Sequence, residues 1–211
     1  MKHPKLLMPL GMVSAIAYFV HVFLGQALRP EYNPITTDIS SLTALGAPNA
    51  ALLNVFTSIY SICFLLFVIG ILTEAFKKYH AITKIGYVIF LVMAITTVVG
   101  YKLFPLTGDK TEMTFQNMMH IVVTVIVVFT TIFSFFFLSY GYLKQENLKV
   151  LGLVSLTTAL LITVFGALNP IGLANEWNIL GLTERLVIFT LQLFVFFLSF
   201  VYTFRPSLTI A

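Results

Sequence analysis

Of 211 residues, 59% are hydrophobic and 9% charged, and the mean hydropathy is +0.98. That balance excludes a water-soluble globular fold, and nothing in the net charge of +4 points to nucleic acid. The expected architecture is an all-α integral membrane protein, a single domain over residues 1–211.

A helix needs roughly 20 apolar residues to cross the hydrocarbon core. Six segments qualify, at about 6 to 28, 50 to 76, 84 to 104, 115 to 142, 150 to 169 and 183 to 203. Lys2 and Lys5 ahead of the first could imitate a signal peptide, but the run is too long and Gln26-Ala27-Leu28-Arg29-Pro30 is a poor cleavage site. Lys2, Lys5, Lys77, Lys78, Lys84, Lys144, Lys149 and Arg205 fall on one side of the membrane, against Arg29, Lys102, Lys110 and Arg185 on the other. By the positive-inside rule both termini are expected in the cytoplasm, and the membrane is expected to be the bacterial cytoplasmic (plasma) membrane.

In helix one, Ser14, Tyr18, His21 and Gly25 share one face. The first outer loop follows, and Asn33 to Gly46 mixes Thr36, Thr37, Asp38, Ser40, Ser41 and Thr43 with Ile35, Ile39, Leu42 and Leu45. Half apolar and half hydroxyl or carboxylate, it reads as a short interfacial helix, capped by Thr37 or Asp38 and ended by Gly46. Asp38 and Ser41 are the pair in it expected to face down into the bundle together.

Helix two carries Asn54, Ser58 and Ser61 on one face, and Cys63 as a small core residue; a lone cysteine allows no intrachain disulfide. His80, in the following loop, reads as a solvated rim residue. Helix three ends at Phe104-Pro105, and the second outer loop contains Asp109. Helix four presents Gln116, His120 and Thr124 on one face. Helix five carries Thr163, Gly166 and Asn169 before Pro170. Helix six opens with Thr183 as N-cap, then Glu184 and Arg185, with Gln192 on the Glu184 face. Leu-x-Pro recurs at 28–30, 103–105 and 168–170, as three outward helices each turning at proline would require.

With a rise of about 1.5 Å per residue, His21, Asn54, His120 and Gln192 all lie roughly 9 to 13 Å below the outer helix ends. Polar groups at one depth in hydrocarbon should face one another inside the bundle, and the inner half offers no comparable set. The 33–46 stretch would then be a lid over that layer. Glu184 and Arg185, about 100° apart on a helix, should find separate partners.

Asn33-Pro34 to Asp38-x-x-Ser41, Phe104-Pro105 with Asp109 and then His120, and Glu184-Arg185 together resemble the six-helix bacterial membrane family catalogued as domain of unknown function number 998. More remotely the chain is similar to the damage-regulated autophagy modulator and GPI-remodelling membrane proteins. Thr37-Asp38 stands where the pattern has Ser-Asp, and Asp109 lies further beyond Phe104-Pro105 than in it. The family name implies no activity.

Three readings stay open. The first is a polar pocket in the outer half of the bilayer that binds or processes a lipid or other amphiphile. Asp38, Asp109, His120 and Glu184 would supply acid-base groups and Ser40 or Ser41 a nucleophile. Ser41, His21, Asn54 and Gln192 would bind substrate, and Arg185 would anchor an anionic headgroup. The second is a non-enzymatic scaffold or partner protein. The third is a metal or haem site on His21 and His120, although no ligand pair has motif spacing and no cofactor is called for. Membrane lipids are the expected partners; oligomeric state is not legible.

Overall fold

The computed structural model describes residues 4–108 and 112–209. Among them are six helices long and apolar enough to cross a membrane: α1 Lys5–Ala27, α2 Ala50–Lys78, α3 Ala81–Leu103, α4 Phe115–Leu143, α5 Glu146–Ala174 and α6 Leu180–Phe204. The protein is therefore an integral membrane protein. Each helix packs on the next and α1 closes on α6, which makes a ring of alternating direction. Both described ends of the chain lie at one end of the ring, the terminus end. The 28–49, 104–114 and 175–179 connections lie at the other, the lid end.

Close approach of α3 and α4 depends on Gly141, where a Cβ would collide with the backbone and hydroxyl of Thr83. α1 is interrupted at Met8-Pro9, and α3 widens to a π-helix over Thr96–Gly100 before Tyr101. Two expected boundaries move. α5 runs through Pro170 to Ala174 instead of ending at Asn169, since a proline near a helix end removes only one donor. The third Leu-x-Pro is therefore not a turn, and the repeat fails there. α6 begins at Leu180, so Thr183 sits inside its first turn and bonds the Leu180 carbonyl at 3.0 Å instead of capping the helix.

The middle of the bundle is filled by aromatic rings in sequence. Tyr18 meets Tyr60 at 4.9 Å between centroids, Tyr60 stacks on Phe64 at 5.5 Å, and Phe64, Phe90, Phe135 and Phe194 follow at 5.6, 5.5 and 4.4 Å. Below them the terminus end holds a polar set that helical periodicity misses. Tyr79 donates to the Thr209 carbonyl at 3.0 Å, so it must accept from Tyr202 at 2.6 Å. Tyr202 then accepts from Tyr142 at 3.1 Å, and Tyr142 from Tyr87 at 2.5 Å. One terminal carbonyl thus orders four buried hydroxyls. The expectation that the inner half offers no comparable polar set is overturned.

Candidate functional site

The lid is a single 3-10 turn, Ile39–Leu42, shorter than the helix expected up to Gly46. Asp38 caps it, accepting from the Ser41 amide at 3.1 Å and the Ser41 hydroxyl at 2.7 Å. Three residues per turn do bring Asp38 and Ser41 to one face, as expected, but there they bond each other. Asp38 is 3% exposed and so does not point to bulk water. Ile39 and Leu42 seat the turn on Val22, Tyr32 and Leu53.

The side chain that reaches across the bundle is Ser40. Its hydroxyl lies 3.2 Å from His120 Nε2, while His120 Nδ1 lies 2.8 Å from the Phe104 carbonyl oxygen. A carbonyl can only accept, so Nδ1 carries a proton, and in the neutral imidazole Nε2 is then the acceptor for the Ser40 hydroxyl. A serine, a histidine base and an orienting acceptor are thereby aligned, with a backbone carbonyl where hydrolases use a carboxylate.

α6 holds the lid by two separate side chains, as their angular offset requires. Glu184 accepts from the Ile39 amide at 2.6 Å. Arg185, 8% exposed, donates through Nη1 to the carbonyls of Pro34 (2.7 Å), Thr37 (3.1 Å) and Gly181 (2.9 Å), and through Nη2 to the Tyr32 hydroxyl (2.6 Å). Its guanidinium also lies 5.3 Å from the Tyr32 ring centroid. With these donors engaged, Arg185 clamps the lid backbone. Burial raises the Tyr32 phenol above its ordinary pKa, against the opposing pull of Arg185. It therefore stays protonated and shares that proton with the Thr37 and Asp38 carbonyls, at 3.0 and 2.9 Å.

The second loop is held by Asn117, which the sequence reading passed over in favour of the Gln116 face. Its side-chain oxygen accepts from the Thr107 amide and hydroxyl, both at 2.9 Å, and its nitrogen donates to the carbonyls of Thr107 (2.8 Å) and Glu112 (3.1 Å). An amide that both accepts and donates was the available signal, one residue off the chosen face. The two loops join where Leu45 donates to the Leu106 carbonyl at 2.9 Å.

Beneath His120, the Tyr101 ring lies 5.0 Å away and its hydroxyl donates to Thr124 at 3.1 Å. Further across, the His21 ring meets Tyr18 edge-on at 5.5 Å. His21, His120 and Gln192 are all buried. Asn54 is not: it lies exposed on α2, where its carbonyl takes the Ser58 hydroxyl at 2.7 Å, so it does not belong to the polar layer. Asp109 lies outside the described residues. His80 is exposed and caps α3, its Nδ1 accepting from the Ile82 amide at 3.2 Å, and Cys63 is half-buried. Among the described residues no three His, Cys, Asp or Glu side chains gather as a metal site. An open cleft of about 520 Å³ lies over the lid, bordered by Arg29, Thr37, Asp38, Ser41 and Gly108.

A family model described as protein of unknown function (DUF998) matches residues 12–201. No curated protein and no solved structure matches the chain.

Proposed function

The chain belongs to that DUF998 family, whose description carries no activity, and from the geometry we propose a membrane enzyme that binds a lipid or other amphiphile and transfers an acyl group from it. The observation that carries this is the Ser40 hydroxyl 3.2 Å from His120 Nε2 with Nδ1 2.8 Å from the Phe104 carbonyl oxygen, which in a neutral ring leaves Nε2 as the base. Ser40 Oγ attacks the acyl carbonyl carbon while His120 Nε2 takes its proton. The tetrahedral adduct expels the alcohol, which recovers the proton from Nε2, and leaves an acyl-serine. Water, or the hydroxyl of a second amphiphile, then attacks that ester and frees Ser40, with His120 again relaying the proton. The Phe104 carbonyl holds the ring and stabilises the imidazolium through its dipole.

The basic residues near the terminus end and the acids near the lid end support a site on the extracytoplasmic side, with both termini in the cytoplasm. The test is a lipid-tailed fluorophosphonate applied to protein in bilayer nanodiscs, with the labelled residue mapped by mass spectrometry. Labelling at Ser40 is expected, lost in Ser40→Ala and at least about a hundredfold slower in His120→Gln, the scale of a general base. Absence of Ser40 labelling in folded protein refutes the reading.

A further inference from the structure

Two buried side chains in the polar layer have atoms that nothing described satisfies. Neither ring nitrogen of His21 has a hydrogen-bond partner, and nor does Gln192 Oε1, although the residues are only 3% and 1% exposed. His21 lies on α1 one turn below Gly25, which packs against Leu42 of the lid, hence roughly 6 Å deeper. Gln192 lies eight residues below Glu184 on α6, roughly 12 Å beneath the lid's Ile39 amide. The two side chains stand on helices that pack against each other at this depth, where Phe19 of α1 meets Phe189 of α6 at 5.1 Å, and Tyr18 touches both His21 and Tyr60. The Phe64 to Phe194 aromatic series packs below.

Unbonded polar atoms inside a membrane bundle are costly, so a fold that keeps three of them on the adjacent helices α1 and α6 has a use for them. We infer that His21 and Gln192 form a shelf that receives a neutral hydroxyl or amide carried by the amphiphile about two helical turns from the group reacting at Ser40. The inference rests on the acyl-transfer reading for the position of the reacting group. The class follows from the donor inventory. Gln192 Oε1 only accepts, and a neutral imidazole offers one donor and one acceptor, so the complementary group must both donate and accept without carrying charge. A hydroxyl and a secondary amide meet that condition; a plain acyl chain does not.

The probes are two single-chain lysolipids, one with a mid-chain hydroxyl, as in 12-hydroxystearoyl, and its plain stearoyl analogue. A third carries a mid-chain amide, to separate the two chemistries. Binding to the full chain in nanodiscs is measured by native mass spectrometry, with Ser40→Ala to prevent turnover. The hydroxyl or amide probe is expected to bind about tenfold more tightly than the plain one, the worth of about one buried hydrogen bond. The preference should vanish in His21→Leu/Gln192→Leu while plain-chain binding persists. Equal binding of all three probes to wild type, or a preference that survives the double variant, overturns the shelf. Should the double variant fail to fold, Gln192→Met decides: removal of the acceptor weakens the preference if the shelf is a ligand site and leaves it unchanged otherwise. Loss of Ser40 labelling with an intact preference would strike the enzymatic reading alone.

Discussion

Arg185→Met tests whether the buried guanidinium clamps the lid. Nη1 and Nη2 make four hydrogen bonds, three to carbonyls and one to Tyr32. Not all of them are lost in full: the Thr37 carbonyl keeps the Tyr32 hydroxyl, and Gly181 belongs to the helix itself. The Pro34 carbonyl loses its arginine partner, and Tyr32 loses a charged donor. At about 1.5–3 kcal/mol for a hydrogen bond to a charged group, the net cost is about 2–4 kcal/mol, confined to the lid. At 1.4 kcal/mol per tenfold, amide exchange over residues 32–43 should accelerate by at least about thirtyfold while the helix cores keep their protection. Arg185→Lys keeps the charge but cannot span Pro34 and Tyr32 from one nitrogen, so its exchange should fall in between. Hydrogen exchange by mass spectrometry in nanodiscs reads both variants. Unchanged exchange over 32–43 with weakened binding of anionic lipid would favour the headgroup role and refute the clamp.

Gly181→Ala should loosen the same stretch, because the new Cβ would run into the Thr37 and Pro34 carbonyls; the same exchange measurement detects it, and unaltered protection counts against the docking geometry. Asn117→Ala should release Thr107 and Glu112 at a cost of about 2–3 kcal/mol, seen as a lower Tm, and Asn117→Asp, which still accepts from Thr107 but donates nothing, should recover only part of it. Burial pushes the Tyr79 phenol up to about 12. A raised pKa contributes stability fully below the unfolded value near 10 and loses it as pH rises toward 12, so Tm should drop across that window and drop less in Tyr79→Phe.

Six helices were legible because length and apolarity fix them independently of packing. The inward faces were harder to read. Ser, Thr and Asn at helical spacing look like an interior stripe, yet Ser58 returns its hydroxyl to the Asn54 carbonyl and exposed Thr163 to Ala159 at 2.7 Å. Such side chains satisfy themselves on their own helix and need no interior partner. The tyrosine chain escaped for the opposite reason. Tyr79, Tyr87, Tyr142 and Tyr202 read as apolar bulk until the ring of helices brings their hydroxyls together across up to 123 residues of sequence. The partner of His120 depended on backbone type: the 3-10 turn pairs Asp38 with Ser41 and leaves Ser40 beside His120.

The adjacent charges of α6 therefore bear on the reactive pair without touching it. Glu184 fixes the Ile39 amide, one residue from Ser40, while Arg185 fixes the carbonyls of Pro34 and Thr37 on the approach to the turn. His120 is held independently, by the Phe104 carbonyl at the end of α3. Serine and base thus stand on separately anchored bodies, and the 3.2 Å between them is set by how firmly α6 grips the lid. Loosening that grip should slow fluorophosphonate labelling of Ser40, and the slowing should be absent on a His120→Gln background, because the alignment being lost is with the histidine. Equal slowing on both backgrounds would mean that α6 governs access to the serine instead of its alignment.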